Sequence, residues 1–230
     1  MTKIFTLGLI GNGYWINNYK KTISEINVFC YVDLMVLFGI KDVASALLLT
    51  DSDWKDIINK SKIDAIVIAS SPELQTKIAP LFIKLKLPMI LEKPFGLSFQ
   101  GLVNIWNIKN KVKSSIIYIN HYHLFHPVFR KISSFLKYQE VKKITIIDGN
   151  FGPFRRYTPP LFDWAPHSVG VVLSLMGMGF TDFKAEIIYN DNQDTKRKEI
   201  WRLKFEYPDG KKALIILGNG FSKKIRRVRI

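Results

Sequence analysis

The sequence has little cysteine, few acidic residues and no long apolar run, and each shortage excludes a class of protein. Cys30 is the one cysteine among 230 residues, so an internal disulfide is impossible. No apolar run reaches the roughly 18 residues that a transmembrane helix needs. The apolar stretch at the N-terminus is short and runs directly into glycines, which is unlike a signal peptide. Together these features predict a cytoplasmic, water-soluble protein.

The shortage of acids leaves 19 Asp and Glu against 34 Lys and Arg, a net charge of +15. Such an excess of positive charge could bind a nucleic acid, a membrane surface or an anionic small molecule. In the tail SKKIRRVRI, however, the cations alternate with Ile and Val, which favours an edge strand with one polar face. We therefore expect no nucleic-acid or membrane partner, and a basic nucleic-acid-binding protein stays the second alternative function.

The first half of the chain alternates short apolar runs with amphipathic segments, which predicts βαβ units and a parallel sheet. The apolar runs lie at 3–10, 28–42 (one or two strands), 63–71, 87–94 and 114–122. Beyond residue 122 the pattern changes to helices followed by longer strands, two of them joined by a Pro-Asp-Gly turn. We predict an α/β protein with a dinucleotide-binding domain at 1–122 and an α+β domain at 123–230, whose sheet is mostly antiparallel.

The stretch GLIGNGYWI nearly matches the G-x-G-x-x-G motif of dinucleotide-binding folds. Gly11 and Gly13 take the first two positions, and Ile16 stands where the third glycine would be. The turn follows a predicted strand and opens a predicted helix, so a pyrophosphate could sit on the helix N-terminus. A pair of ordinary turn glycines would give a similar pattern. The candidate cofactor residues here are Gly11, Asn12, Gly13, Tyr14 and Trp15.

The motif also requires an acid about twenty residues further on, for the ribose hydroxyls. Asp33 lies 20 residues after Gly13 and Asp42 lies 29 after it, and the spacing slightly favours Asp33. Ser70 ends another predicted strand, where ligands of open α/β sheets bind. Ser71 is predicted to cap the helix that follows.

The stretch LEKPFGLS places Glu92 and Lys93 at the end of a predicted buried strand. A Lys at that edge of the sheet can bind a substrate hydroxyl and carry its proton. Glu92 could orient Lys93 or bind the nicotinamide ribose. A solvated ion pair in a surface turn is the plainer alternative.

Four stretches taken together resemble the glucose-fructose oxidoreductase/inositol dehydrogenase (Gfo/Idh/MocA) family. They are GLIGNGYW, IDAIVIASSP, LEKPFGLS and FDWAPHSVGVVLSLMG, in the family's order and spacing. The resemblance implies a nicotinamide cofactor, NAD or NADP, and hydride transfer to or from a sugar-like or cyclitol CH–OH group. It also implies that Lys93, Asp163 and His167 are catalytic, and that the open C-terminal sheet forms a homo-oligomer.

His167 follows Pro166, so we expect it near a helix N-terminus, where the pKa of an imidazole is lowered. His121, His123 and His126 are interpreted as loop or packing residues, and no metal site is expected.

The chain departs from the family at Ile16, at Gly170, where many relatives have Asp, and at Leu124, where many have Arg. It is also shorter than most relatives. The short length and Gly170 favour a first alternative, a non-catalytic relative that binds the cofactor as a sensor or scaffold.

Overall fold

The computed structural model describes residues 4–155, 158–191 and 197–230. Its chain divides into two compact units, with the boundary between Asn120 and His121. In the described part of the chain, each unit is built on one five-stranded sheet. The domain boundary predicted from the sequence, after residue 122, lies two residues further on.

The N-terminal unit is a parallel sheet with helices between its strands. The strand order is β2-β1-β3-β4-β5, and each neighbouring pair is parallel, as predicted. The strands are β1 (Phe5–Ile10), β2 (Phe29–Asp33), β3 (Ala65–Ile68), β4 (Met89–Leu91) and β5 (Ile117–Ile119). The helices are α1 (Tyr14–Ser24), α2 (Leu34–Leu37), α3 (Val43–Leu48), α4 (Asp51–Ser61), α5 (Pro72–Lys84) and α6 (Phe99–Lys111).

The strand order determines which helices cover each face of this sheet. The chain steps one way from β1 to β2 and the opposite way from β2 through β3 and β4 to β5. Since crossovers between parallel strands are right-handed, α1 lies on one face and the later helices on the other. Accordingly, Leu9 and Val67 pack with Ile16 of α1. Their strand neighbours Ile10 and Ile68 pack in a separate, larger cluster with the later helices.

The structure refines one expectation in this unit and adds one local detail. The run 28–42 contains one strand, β2, and then the short helix α2. Helix α4 is capped by Thr50, the residue before it. Thr50 and Asp53 form a reciprocal capping box, in which each side chain accepts the other residue's backbone N–H.

The C-terminal unit contains a mixed sheet in the order β10-β6-β9-β8-β7. Its pairs are antiparallel except for β6 and β9, which run parallel. The basic tail forms the edge strand β10, as predicted. The strands are β6 (Lys143–Phe151), β7 (Asp182–Asp191), β8 (Lys198–Glu206), β9 (Lys212–Gly218) and β10 (Gly220–Arg229). Helices α7 (Pro127–Leu136) and α8 (Pro160–Met176) follow a 3₁₀ turn at Tyr122–Phe125.

One face of this sheet forms the core of the C-terminal unit. Buried and half-buried residues alternate along β6 and β9, as expected for strands with two different faces. Ile146 and Ile215 are buried with Val172 of α8. Their strand neighbours Ile147 and Ile216 are register partners on the opposite face and stay half-buried.

None of the helices in the described ranges has both the length and the apolar character of a membrane span.

Candidate functional site

The glycine turn connects β1 to α1 and packs against the carboxyl end of β3. Gly11 has a φ of 147°, and a Cβ placed there would lie 2.2 Å from the carbonyl oxygen of Ala69, so glycine is required. In the order 2-1-3-4-5, this junction is the switch point at which ligands of doubly wound sheets bind. Gly13 is the N-cap of α1 and supplies no side-chain cap, and a Cβ there would meet nothing within 4 Å. Open space at an uncapped helix N-terminus fits a pyrophosphate.

The other residues of the turn have different environments. Asn12 is exposed, Tyr14 is 75% exposed, and Trp15 is half-buried with its ring edge-on to Tyr14. Ile16, at the third glycine position, is fully buried against β1 and β3. This position therefore contributes to the core.

Asp33 is the last residue of β2, while Asp42 caps α3, so Asp33 is the acid at the end of the second strand. One carboxylate oxygen of Asp33 accepts the backbone N–H of Val36 at 3.1 Å. The other lies 2.5 Å from the Lys20 ammonium. A ribose hydroxyl would have to share this carboxylate with Lys20.

Ser70 and Ser71 follow β3 and have different environments. Ser71 caps α5 and accepts the N–H of Leu74 at 3.3 Å. The Ser70 hydroxyl is buried and has no hydrogen-bond partner within the described residues. A buried hydroxyl without a partner is unfavourable in an isolated protein, so its place beside the switch point fits a ligand-binding cleft.

Glu92 follows β4 and is 5% exposed, so it is not part of a solvated surface pair. Its Oε1 accepts the Tyr19 hydroxyl at 2.9 Å and the Asn120 amide at 2.6 Å. Burial, and next the negative charge of Glu92, raise the pKa of Tyr19. Lys93 is half-buried at the same carboxyl edge of the sheet. These two neighbours therefore differ in burial: Glu92 is buried in a polar network, and Lys93 is partly accessible to solvent.

Helix α8 carries both candidate residues of the C-terminal unit, but it begins earlier than expected. It starts at Pro160, and Pro166 lies inside it, so His167 is in the middle of the helix. The prediction that His167 lies at a helix N-terminus is wrong, and the pKa argument built on it fails. Proline is common in a first turn, and Pro160 takes that position instead. Asp163 lies four residues before His167 on the same helix face, and Arg155 contacts its carboxylate at 2.7 Å.

Three aromatic side chains surround the ring of His167, which is 6% exposed. Ring centroids lie 4.3 Å away for His123, 4.5 Å for Tyr122 and 5.9 Å for His121. The interpretation of His121 and His123 as simple loop or packing residues therefore missed their contact with His167, and the H-x-H spacing before α7 was the available signal. His126 does have a local role, since its Nδ1 caps α7.

Two of the three residue departures from the family, Gly170 and Leu124, lie close to this cluster. A Cβ at Gly170 would be 3.3 Å from Nδ1 of His121, so the His121 ring occupies space that a longer side chain would need. Leu124 is partly buried against the apolar core of the unit. Among the residues with described positions, no group of three or more His, Cys, Asp or Glu is arranged to hold a metal ion.

A cavity of about 430 Å³ lies in the C-terminal unit between α7, α8 and strands β6 and β10. Most of its lining is apolar, and its polar and charged lining residues are His123, His126, Asp148, Ser168, Arg226 and Arg227. Neither Asp163 nor His167 is among its described lining residues. His123, whose ring packs against that of His167, is one of the lining residues, so the cavity borders the aromatic cluster around His167.

The N-terminal unit has the sheet order, glycine turn and strand-end polar residues of a dinucleotide-binding protein. Residues 17–121 match the family model GFO_IDH_MocA, described as "Oxidoreductase family, NAD-binding Rossmann fold". This match confirms the family resemblance and agrees with the expected nicotinamide cofactor. A comparison with curated protein sequences gives no match.

Solved structures extend the similarity of fold across both units. A protein described as an oxidoreductase from Magnetospirillum magnetotacticum is 23% identical with a TM-score of 0.79, over 98% of this chain and 74% of that one. A myo-inositol dehydrogenase from Corynebacterium glutamicum is 15% identical with a TM-score of 0.79, over 98% and 72%. Biliverdin reductase from Synechocystis, solved with biliverdin and NADP⁺, is 19% identical with a TM-score of 0.69, over 97% and 75%.

Proposed function

We propose that the protein is an NAD(P)-dependent oxidoreductase that acts on the CH–OH or carbonyl group of a sugar-like or cyclitol substrate. The main support for this proposal is the arrangement of residues at the switch point of the N-terminal sheet. There Gly11 is sterically required, the N-terminus of α1 is open, and Ser70, Glu92 and Lys93 follow neighbouring strands. The inositol dehydrogenase among the similar structures supports a polyol substrate.

In this proposal, each unit supplies its own groups. The backbone at Gly11–Gly13 binds the pyrophosphate, Asp33 binds the adenosine ribose, and Ser70 and Glu92 line the cleft. The bound cofactor supplies the hydride acceptor or donor. The Lys93 ammonium donates a hydrogen bond to the substrate hydroxyl and takes part in transfer of its proton. In the C-terminal unit, the family resemblance assigns catalytic roles to Asp163 and His167, which lie on the same face of α8.

A second candidate function is a non-catalytic relative that binds the cofactor as a sensor or scaffold. Two observations favour it, both around α8. Asp163 is held by Arg155, which competes with a substrate hydroxyl for the carboxylate. Gly170 offers no side chain, and His121 lies against it. Both candidates require cofactor binding and differ only in turnover.

Titration of the full chain with NADH and NADPH, followed by nicotinamide fluorescence and by calorimetry, tests the shared requirement. We expect one of the two to bind with a Kd of millimolar or lower. Absence of binding by both would overturn the proposed function.

Screening sugars, sugar nucleotides and inositols for absorbance change at the nicotinamide band then separates the candidates. Turnover of any of them supports the enzyme. Cofactor binding by a folded protein without turnover of any compound favours the sensor or scaffold.

A further inference from the structure

Three polar side chains form a closed triangle inside the N-terminal unit. The Tyr19 hydroxyl donates to Oε1 of Glu92 at 2.9 Å. The Asn120 amide nitrogen lies 2.6 Å from the same oxygen and 2.9 Å from the Tyr19 hydroxyl. Tyr19 is on α1, Glu92 follows β4 and Asn120 follows β5, so the triangle connects three elements. The proposed reaction assigns no role to Tyr19 or Asn120.

Strand register explains why these three side chains meet. Ile90 of β4 and Tyr118 of β5 are register partners. Glu92 and Asn120 each come two residues later, so they lie on the same face of the sheet as that pair. Ile90 packs in the apolar cluster that contains Tyr19, which identifies this face as the one covered by α1. Backbone hydrogen bonds from Glu92 to Ile68 and from Asn120 to Leu91 fix both strand ends.

The donors also determine how the Glu92 carboxylate can be used. A buried carboxylate requires hydrogen-bond donors, and here two are provided. Because burial and the charge of Glu92 raise the pKa of Tyr19, its hydroxyl stays protonated and keeps donating at ordinary pH. Both donors use Oε1, which leaves Oε2 to accept a hydrogen bond from a ligand.

We infer that Tyr19 and Asn120 are positioning residues that orient Glu92 toward the nicotinamide-ribose half of the bound dinucleotide. This inference rests on the proposed function. Asp33 ends β2 on one side of β1, and Glu92 ends β4 on the other side. A dinucleotide bound across the switch point would therefore meet the two acids with different halves. Asp33 would bind the adenosine half, and Glu92, held by Tyr19 and Asn120, would bind the nicotinamide-ribose half.

The test compares two ligands on the full-length chain. NADH, or NADPH if the wild type binds it more tightly, contains both halves, whereas ADP lacks the second ribose and the nicotinamide. Tyr19→Phe keeps the ring in the apolar cluster and removes the donor. Tyr31→Phe is the matched control, because Tyr31 lies on β2 and is 39% exposed. Thermal unfolding of each variant checks that it is folded at the titration temperature.

We expect Tyr19→Phe to weaken dinucleotide binding about tenfold, the effect of one hydrogen bond to a charged group. Its Kd for ADP should stay within about twofold of the wild type, and Tyr31→Phe should change neither. Asn120→Ala should reproduce the pattern, because it removes the other donor to Oε1.

Equal weakening of both ligands by Tyr19→Phe, or weakening of neither, would overturn the positioning role. That result leaves the proposed function standing, since wild-type binding is measured in the same experiment. If the wild type binds neither the dinucleotide nor ADP, that result would instead overturn the proposed function, and this inference with it.

Discussion

The two units use their sheets in opposite ways. In the N-terminal unit, apolar clusters cover both faces of a parallel sheet, and the candidate residues follow the strand ends. In the C-terminal unit, one sheet face is buried under helices, and the candidate residues lie on α8, Asp163 in its first turn and His167 in its middle. A parallel sheet covered on both faces has space for a ligand only at its ends. A sheet with one helical layer can place functional groups on that layer and keep its other face for association.

This difference indicates how substitutions should act in each unit. Lys93 is half-buried at a strand end, so a substitution that keeps the volume of its stem should disturb packing little. His167 is buried within a ring of aromatic side chains, so its function and its packing cannot be separated as easily. The following predictions test that contrast, beginning with the largest expected effect.

Lys93→Met is expected to lower turnover of an identified substrate by about 10² to 10⁴, the usual effect of removing an acid–base group. Cofactor affinity and thermal stability should change little, because methionine keeps most of the stem volume. His167→Ala should lower both turnover and stability. Lys111→Met, an exposed change at the end of α6, is the control. Wild-type turnover by Lys93→Met would show that the lysine is not catalytic.

Gly11→Ala and Gly13→Ala form a matched pair in the glycine turn. The first should destabilise the protein by roughly 2–4 kcal/mol, because the new Cβ meets the Ala69 carbonyl at a φ unfavourable for alanine. The second should leave stability within about 1 kcal/mol but weaken cofactor binding, because the Cβ enters the open space for the pyrophosphate.

Chemical denaturation and cofactor titration of both variants measure this difference. If Gly13→Ala binds the cofactor as the wild type does, the pyrophosphate is not bound at this turn.

The half-buried face of the C-terminal sheet is proposed to form a homo-oligomer, because Ile147, Leu214 and Ile216 form an apolar patch beside the half-buried Arg202. Light scattering of the wild type should give at least twice the monomer mass. Ile216→Glu should shift the protein to monomer, while Leu48→Glu, at an exposed site of the N-terminal unit, should not. A monomeric wild type at high concentration would contradict the proposal.

The smallest expected effect is acid sensitivity of the helix caps in the N-terminal unit. Hydrogen bonds from Ser45 lower the pKa of Asp42, and those from Thr50 lower the pKa of Asp53. Each carboxylate therefore stabilises the fold fully above its ordinary pKa of about 4, and this contribution is lost as pH falls through the lowered folded-state value. Asp53→Asn should flatten the dependence of Tm on pH in this acid range. An unchanged slope would show that the capping box contributes nothing measurable.

Much of the N-terminal unit could be predicted because its signals are local. A glycine turn between a strand and a helix, and polar residues after apolar runs, are visible within ten residues of sequence. The start of α8 was misplaced because Pro166 resembles a helix-initiating proline, while Pro160 is the one in the first turn. The contact of His121 and His123 with His167 was not predicted, because it joins segments more than forty residues apart.

The sequence by itself determined the alternation of strands and helices, the glycine turn and the strand ends that carry Asp33, Ser70 and Lys93. Each of these follows from apolar periodicity and backbone requirements within one short segment. The tertiary structure decided which side chains meet: Tyr19 and Asn120 on Glu92, Lys20 on Asp33, and His123 on His167. Such contacts depend on strand order and register, which place residues far apart in the chain on one face, and local sequence patterns do not specify them.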